Sequence, residues 1–283
     1  MKKFNILNYK TESQIKEIVT YLGEQPLKQS SHGYTNHGSI KIIDSANKST
    51  KDYTSLAKRK PALALIGVIL AANRNYNKVV EPNIKRLDES SFKSFNELSK
   101  IIELKSKEEF FSFWGPKDQK KYNTLCSILN VIPKIKKVNN HTTNDFALLN
   151  SWAQNASLSN KNKDIIGSLP NIGIATYQHL KMVFGVETIK PDQRVKEVLD
   201  FEFGIEKLND FNSILAVEQM AKIINLNVLT LDQIFVKYGS GYYNKVNSKL
   251  SVKDIAKKLK ENNVDARVIR AALNLSLHQI NRL

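Results

Sequence analysis

One segment of the sequence combines residues suited to binding a phosphate group: Leu169-Pro170-Asn171-Ile172-Gly173-Ile174-Ala175-Thr176. The pattern predicts that a helix over 161–168 ends here, that a tight hairpin turns the chain, and that a second helix begins at about Ile174. Free backbone N–H groups at the start of that helix, together with the positive end of its dipole, form a phosphate site without any basic side chain. Gly173 would let a phosphate approach the backbone closely. An ordinary helix–helix connection is the alternative interpretation of this segment.

A second chemical group, the carboxylate of Asp192, lies 19 residues beyond Gly173. Apolar residues recur at helical spacing from Val195 onward, which predicts a new helix there. Asp192 therefore stands at the entrance of a helix, directly behind the rigid Pro191. Either it serves catalysis or it is an N-cap aspartate without a chemical role.

Together, the hairpin, the apolar helix that follows it and the Pro-Asp pair resemble a family of base-excision DNA glycosylases. This is the helix-hairpin-helix, Gly/Pro-rich loop, Asp (HhH-GPD) superfamily, which includes the endonuclease III and alkyl-adenine branches. Residues 63–73 with 77–79 are similar to the family's first barrel helix and its DNA-facing loop, and 113–125 to its Gly-aromatic turn and basic helix. Residues 231–239 resemble the late helix that closes the fold. The resemblance covers about residues 60 to 245.

The resemblance implies an all-α fold with two lobes. A helical barrel lobe would span 62–185, and a second lobe carrying Asp192 would combine 1–61 with 186–248. Residues 249–283 would form a C-terminal helical extension, in which Ala271–Ser276 followed by Ile280-Asn281-Arg282 resembles a helix-turn-helix. Short helical hairpins without a DNA-binding role share this register.

The implied activity is hydrolysis of the N-glycosidic bond of a damaged or modified base flipped out of the duplex, which leaves an abasic site. Asp192 would stabilise the positive charge that develops on the deoxyribose and orient or deprotonate the attacking water. The setting would be base excision repair or defence against modified phage DNA. The alternative is a non-catalytic DNA-binding protein on a degenerate glycosylase scaffold.

Departures from the family pattern narrow the implied chemistry. Asn171 replaces the usual first hairpin glycine, and asparagine tolerates a left-handed backbone better than most residues. Ala175 stands where the strand-cutting branch carries its lysine nucleophile, so no Schiff base with the sugar is expected. Lys181 and Lys190 are expected to be solvated or to face phosphate. The four cysteines of the iron–sulfur branch are absent, which predicts a monofunctional enzyme without a cofactor.

The sequence identifies candidate contacts to the flipped base less specifically than it identifies the hairpin. Asn73, at the exit of the barrel helix, is the candidate wedge that fills the vacated stack. The candidate pocket aromatics are Trp114, Phe113, Trp152 and Tyr177, for each of which core packing is the alternative interpretation. His179, in the second hairpin helix, is a candidate to line the cleft.

Composition supports a nucleic-acid partner. The 283 residues carry a formal net charge of +16, and 41% of them are hydrophobic, enough for a packed core. The single cysteine, Cys126, excludes an internal disulfide and a cysteine-rich metal site. No secretory signal is visible, and the longest apolar run, 61–72, is too short to span a bilayer. We therefore expect a cytoplasmic monomer that binds double-stranded DNA containing a modified base, and no membrane.

Helical periodicity accounts for most of the chain. It predicts a short helix around 15–22 and a nearly all-buried helix over 61–72. Further helices are predicted at 94–104, 107–113, 117–131, 143–155, 161–168, 174–184, 193–200, 210–223, 230–238 and 251–262. Pro133 and Gly239-Ser240-Gly241 are predicted to interrupt helices, and a domain junction is predicted at 245–250.

The polar stretch 30–55 is predicted to be an irregular loop or a small hairpin, with 40–42 as its strand-like part. It is a candidate insertion for reading the substrate. His32 and His37 lie in this stretch, but no carboxylate or cysteine joins them at ligand spacing, so no metal site is expected.

Overall fold

The computed structural model describes residues 4–28, 40–74, 76–138, 144–243, 252–261 and 263–273. Within these ranges the regular elements are helices, and the only pairing of extended chain is one isolated bridge between Pro26 and Lys41. The prediction of an all-α fold is therefore confirmed. In chain order the helices are α1 (Glu12–Glu24), α2 (Ile42–Asp52), α3 (Ser55–Arg59), α4 (Pro61–Ala71), α5 (Glu81–Asp88), α6 (Phe95–Leu104), α7 (Lys107–Trp114), α8 (Gln119–Val138), α9 (Asp145–Asn155), α10 (Ile174–Val183), α11 (Gln193–Phe201), α12 (Asp210–Ile224), α13 (Val228–Tyr242), α14 (Val252–Glu261) and α15 (Ala266–Leu273). Shorter connecting elements are the 3₁₀ helices Ile6–Asn8 and Leu158–Lys163 and the π-helical turn Tyr76–Val80.

The chain divides into two compact units, residues 1–239 and 240–283. Helix α4 lies in the main hydrophobic core of the first unit, which is built from residues between Ala57 and Phe184. Pro61 occupies the first turn of α4, where its missing N–H is not needed, and all residues of the helix except Gly67 are buried. The predicted all-buried helix is thereby confirmed. Helices α5, α8, α9 and α10 pack around α4 and so fix where the ends of these elements meet.

The N-terminal segment of the first unit packs against a helix far along the sequence. Helix α1 starts with a capping box between Thr11 and Gln14 and packs on both α2 and α12. The backbone N–H of Ile6 donates to Oε1 of Gln219 at 2.8 Å, and Gln219 Nε2 donates back to the carbonyl of Phe4 at 3.1 Å. These contacts join segments 213 residues apart. The predicted division into two lobes stays a prediction.

The second unit contains a small helical hairpin. Ala256 of α14 and Ile269 of α15 are fully buried, and Leu259 and Val264 pack against them. Asn263 makes the turn with a φ of 58°, a left-handed conformation that asparagine accepts. The predicted domain junction at 245–250 and most of the proposed helix-turn-helix, from residue 274 onward, lie outside the described residues.

Part of the predicted irregular stretch 30–55 is helical, so that prediction is wrong for 42–52. Helix α2 is polar overall, but its buried residues Ile42 and Ala46 lie one turn apart. Tertiary packing against α1 stabilises a helix that its composition does not favour. The strand-like triplet 40–42 contributes only the isolated bridge, with the N–H of Leu27 donating to the carbonyl of Ile40 at 2.9 Å.

Two predicted helix breaks are also absent. Helix α8 continues through Pro133, which is exposed, because the neighbouring Ile132 and Ile135 are buried in the core and offset the lost hydrogen bond. Helix α13 runs through 239–241, where Gly239 packs closely on Arg194: a Cβ at this glycine would lie 3.2 Å from the Arg194 Cβ. Gly239, which was predicted to interrupt the helix, instead permits close contact between α13 and Arg194 of α11.

No single helix in the described part of the chain has the length and apolarity needed to cross a membrane. Helices α12 and α13 reach that length and composition only as a pair, and the pair is bent by 113°.

Candidate functional site

The chain enters the predicted hairpin through a turn built around Asp164. Its Oδ1 accepts the backbone N–H groups of Ile166 at 3.0 Å and Gly167 at 2.7 Å, and Trp152 Nε1 donates to the same carboxylate at 3.1 Å. A Cβ on Gly167 would lie 2.4 Å from the carbonyl oxygen of Lys161, so only glycine fits. The α-helix predicted at 161–168 is therefore wrong: a 3₁₀ helix, Leu158–Lys163, and this turn replace it.

The hairpin itself has the conformation that the sequence suggests. Asn171 has a φ of 65°, which confirms its left-handed backbone, and its Nδ2 donates to Oγ1 of Thr124 on α8 at 3.3 Å. Ile172 is buried in the core and anchors the turn, while Pro170 and Asn171 are exposed. The hairpin thus presents its backbone to solvent from a fixed base.

Gly173 is the N-cap residue of α10, and no side chain caps this helix. The first-turn amide groups of any helix lack an intrahelical acceptor, and here the cap residue does not supply one either. A Cβ built on Gly173 meets no atom within 4 Å, so the space in front of the helix is open. Its φ of −76° is an ordinary one, which means that access, and not backbone strain, distinguishes this glycine.

Asp192 is partly exposed and is the N-cap residue of α11. Its Oδ1 accepts the backbone N–H of Val195 at 3.1 Å, and its own N–H donates to the carbonyl of Lys190 at 2.7 Å. Pro191 between them is buried. The N-cap interpretation is therefore confirmed, with the carboxylate held at a partly exposed position, and the catalytic role stays a prediction.

A second carboxyl group, that of Asp232 on α13, lies behind Asp192. Asp232 is only 2% exposed; its Oδ1 accepts the N–H of Lys190 at 3.2 Å, and Gln233 Nε2 donates to its Oδ2 at 3.1 Å. Burial, reinforced by the negative charge of Asp192, raises the pKa of Asp232 to about 8 against the opposing effect of these hydrogen bonds. Two carboxyl groups thus meet here in different environments, one accessible and one buried.

Lys121 of α8 ties the end of the central helix to this region. Its Nζ donates to the carbonyl oxygens of Ile69 at 2.9 Å and Leu70 at 3.0 Å, and to that of Ala72. The cation thereby caps the C-terminus of α4, where the helix dipole favours positive charge. Asn73, the candidate wedge, follows directly; it is exposed and has a φ of 54°.

The electrostatics link this helix end to the Asp192 loop. Burial lowers the pKa of Lys121 to about 8; Asp118 opposes this shift, whereas the cations of Arg74 and Lys190 add to it. Arg74 in turn contacts Asp118, with 3.0 Å between Nη2 and Oδ2. Lys121 and Lys190 are therefore close enough to repel each other, which places the end of α4 near the segment that leads into Asp192.

Two tyrosines and a histidine also lie near the Asp192 loop. Burial raises the pKa of Tyr53, directly after α2, well above its ordinary value, and Asp232, Tyr76 and Asp192 raise it further. Tyr76 is 54% exposed. Burial, with a contribution from the Lys190 charge, lowers the pKa of His179 well below its ordinary value, so this imidazole is neutral at physiological pH. This interaction places His179 near Lys190, and its candidacy to line the cleft stays a prediction.

The aromatic residues nominated for the base pocket lie in the hydrophobic core. Trp114 and Tyr177 are fully buried, Trp152 is nearly so and packs edge-on against Tyr177, and Phe113 packs against Phe110. Trp114 Nε1 donates to the carbonyl of Pro116 at 2.7 Å. Of the two interpretations offered for these residues, core packing describes Trp114, Trp152 and Tyr177.

Lys181 is buried, so the expectation that it is solvated or faces phosphate is wrong. Its Nζ donates to the carbonyl of Ala156 at 2.5 Å, and burial lowers its pKa. It lines a cavity of about 280 Å³ with Gln178 and Glu218, and Asp192 is not among the residues that line this cavity. Lys181 therefore belongs to a different face of α10 from the one that meets the Asp192 loop.

No group of three or more potential metal-ligating side chains occurs among the described residues. His32 and His37 fall in the part of the chain that the structure does not describe. Compared with known proteins, the chain matches no family model, no curated protein and no solved structure.

Sequence reasoning missed four groups near the Asp192 loop: Asp232, Lys121, Tyr53 and Tyr76. Asp232 offered one signal, because it is the one charged residue in the mostly apolar run 228–236. Lys121 and Tyr53 offered none, since both lie in polar surroundings along the chain and reach the site only through tertiary packing.

Proposed function

We propose that this protein is a monofunctional DNA glycosylase of the HhH-GPD type, which flips out a damaged or modified base and hydrolyses its N-glycosidic bond. The observation that carries the proposal is the fixed, partly exposed carboxylate of Asp192, in a chain whose helix α10 begins without a side-chain cap. The product is an abasic site, in base excision repair or in defence against modified phage DNA.

Asp192 acts on the sugar. Cleavage of the N-glycosidic bond develops positive charge on the deoxyribose, and a nearby carboxylate stabilises that charge and orients or deprotonates the attacking water. The N-cap hydrogen bond from Val195 holds the carboxylate in one orientation, at 3.1 Å. Water is the proposed nucleophile, because Ala175 offers no amine and Lys181 is buried with its Nζ bound to a carbonyl. Lys190, two residues before Asp192, is the alternative amine, and loss of a borohydride-trapped adduct in Lys190→Ala would identify it.

The hairpin holds the DNA backbone. The open space before Gly173 and the uncapped start of α10 supply amide donors and a favourable dipole for one phosphate. A formal net charge of +16 supports a polyanionic partner, with double-stranded DNA as the substrate. Arg74 and Lys190 lie within electrostatic range of Lys121, and these cations are proposed to add positive charge for the DNA backbone.

Two residues that the sequence did not suggest are better placed to meet the base than the buried aromatics. Tyr53 lies close enough to Asp192 to sense its charge, and Tyr76 lies beside Tyr53 with half of its side chain exposed. An exposed aromatic ring can stack on an extruded base. Asn73, exposed at the end of α4, keeps its role as the proposed wedge.

The proposal is tested with a panel of duplexes carrying an alkylated purine, uracil, a mismatched thymine or a bulky hypermodified pyrimidine, together with phage genomes. After incubation, hot alkali converts abasic sites to strand breaks. At least one modified DNA should become alkali-labile, while the unmodified duplex stays intact. Tight binding without alkali-labile sites in any member would favour the non-catalytic alternative, in which Asp192 serves only as a helix cap.

A further inference from the structure

The buried carboxyl group of Asp232 has no assigned role in the chemistry described above. Asp232 is 2% exposed, and no ion pair to it occurs in the part of the chain that the structure describes. Burying an unpaired carboxylate is unfavourable, so such a residue either pairs with a cation or keeps its proton. Because Asp232 lies behind Asp192, the protonation state of Asp232 affects the candidate site.

Two hydrogen bonds connect the carboxyl group of Asp232 to the backbone of Asp192 through the backbone of Lys190. Asp232 Oδ1 accepts the N–H of Lys190 at 3.2 Å, the carbonyl of Lys190 accepts the N–H of Asp192 at 2.7 Å, and Asp192 Oδ1 accepts the N–H of Val195 at 3.1 Å. Helix α13 therefore fixes the backbone of Lys190, which leads into Asp192, through the side chain of Asp232.

We propose that Asp232 is a positioning residue for Asp192: its buried, uncharged carboxyl group fixes the Lys190 backbone and leaves the negative charge of the pair on Asp192. This inference rests on the proposed function only where it concerns catalysis. When Asp232 ionises, an uncompensated charge appears in the interior, and its relief requires opening the contact between α13 and the 190–192 segment. Asp192 then loses its fixed orientation.

The groups that face Asp232 agree with this assignment. Lys190 and Asp192 approach from the segment before α11, Tyr53 from the end of α2, and Gln233 from α13 itself. Desolvation and the Asp192 charge both favour the protonated form, whereas the Lys190 cation opposes it weakly, and the resulting pKa is about 8. The protonated form of the carboxyl is consequently favoured at neutral pH.

The test compares the pH dependence of single-turnover base excision in the parent protein with that in Asp232→Asn. Asparagine keeps the acceptor for the Lys190 N–H but does not titrate. Parent activity should fall about tenfold per pH unit above about pH 8, as expected when only one protonation state is active, whereas Asp232→Asn should stay flat and match the parent at neutral pH. Asp232→Leu, which loses the acceptor, should be impaired at every pH. Asp145→Asn is the matched control, because Asp145 is a buried aspartate that accepts the Phe95 N–H at 2.6 Å away from the site.

Two results would overturn the inference. If Asp232→Asn also loses activity above pH 8, another group, with Lys121 the first candidate, causes the loss. A second measurement needs neither substrate nor variant: carboxyl ¹³C NMR of the parent protein should show one aspartate titrating near pH 8, and the absence of such a signal refutes the uncharged Asp232. This measurement also separates failure of the proposed function from failure of the inference on Asp232, since a protein without excision activity on any substrate can still show the titration.

Discussion

Replacing Asp232 by asparagine should change how the stability of the protein depends on pH. The pKa of Asp232 is about 8 in the folded protein against an ordinary value of 3.8. The native state therefore holds a proton that the unfolded chain has released, and raising the pH through this window lowers the stability of the parent protein. Asp232→Asn lacks this dependence, so it gains stability relative to the parent as the pH rises.

The size of the effect follows from the shift. One pKa unit corresponds to about 1.4 kcal/mol, so the full window between the two values is worth roughly 5–6 kcal/mol. Between about pH 5 and pH 7 the difference in unfolding free energy between variant and parent should grow by about 2–3 kcal/mol. Asp232 is almost completely buried, so solvent does not screen this effect.

Urea unfolding of both proteins at the two pH values gives the difference directly. Asp145→Asn is again the control: Asp145 forms an ion pair with Lys136 at 3.4 Å, so its replacement should give no comparable gain with rising pH. An equal difference between Asp232→Asn and parent at both pH values would show that Asp232 titrates normally, and the positioning role would lose its physical basis.

The remaining predictions concern DNA. Gly173→Asp places a negative charge in the open space before α10, so its affinity for every duplex should drop about tenfold and the salt dependence should flatten in a salt titration. Gly173→Ala adds only an uncharged Cβ that meets no protein atom, so it should fold normally and weaken binding less than Gly173→Asp. Borohydride should trap no protein–DNA adduct during turnover, because Ala175 offers no amine; an adduct on a denaturing gel would contradict hydrolysis by water. Tyr76→Ala should slow excision roughly tenfold by loss of stacking, and Tyr21→Ala, an equally exposed tyrosine on α1, should not change the measured rate.

Local sequence signals account for most of the helices. Proline at the first position of α4 and the capping boxes at Ser94 and Ser106 start helices where the apolar periodicity also begins. Where the structure departs from expectation, tertiary packing outweighs local preference. Helix α2 forms on a polar sequence because α1 covers its few apolar residues. Pro133 stays within α8 because Ile132 and Ile135 on either side of it are buried in the core.

The candidate site was only partly visible in the sequence. The hairpin and Asp192 belong to continuous segments, so their spacing marks them. Asp232, Lys121 and Tyr53 come from three different helices or helix ends, and their roles depend on burial and on mutual electrostatic interactions that no linear pattern encodes. The failure of the predicted helix at 161–168 has the same origin, because the Asp164 turn depends on a hydrogen bond from Trp152 on another helix.

Base release by Asp192→Asn tests the central claim most directly. Asparagine is as good an N-cap as aspartate, so helix α11 and DNA affinity should be retained, with Kd within about twofold of the parent. Single-turnover release of the free base should fall at least ~100-fold, because the charge that stabilises the sugar cation is gone. Asp200→Asn on the same helix controls for loss of a negative charge and should release the base at the parental rate. Excision by Asp192→Asn at the parental rate would contradict the account, since Asp192 would then be a helix cap and no more.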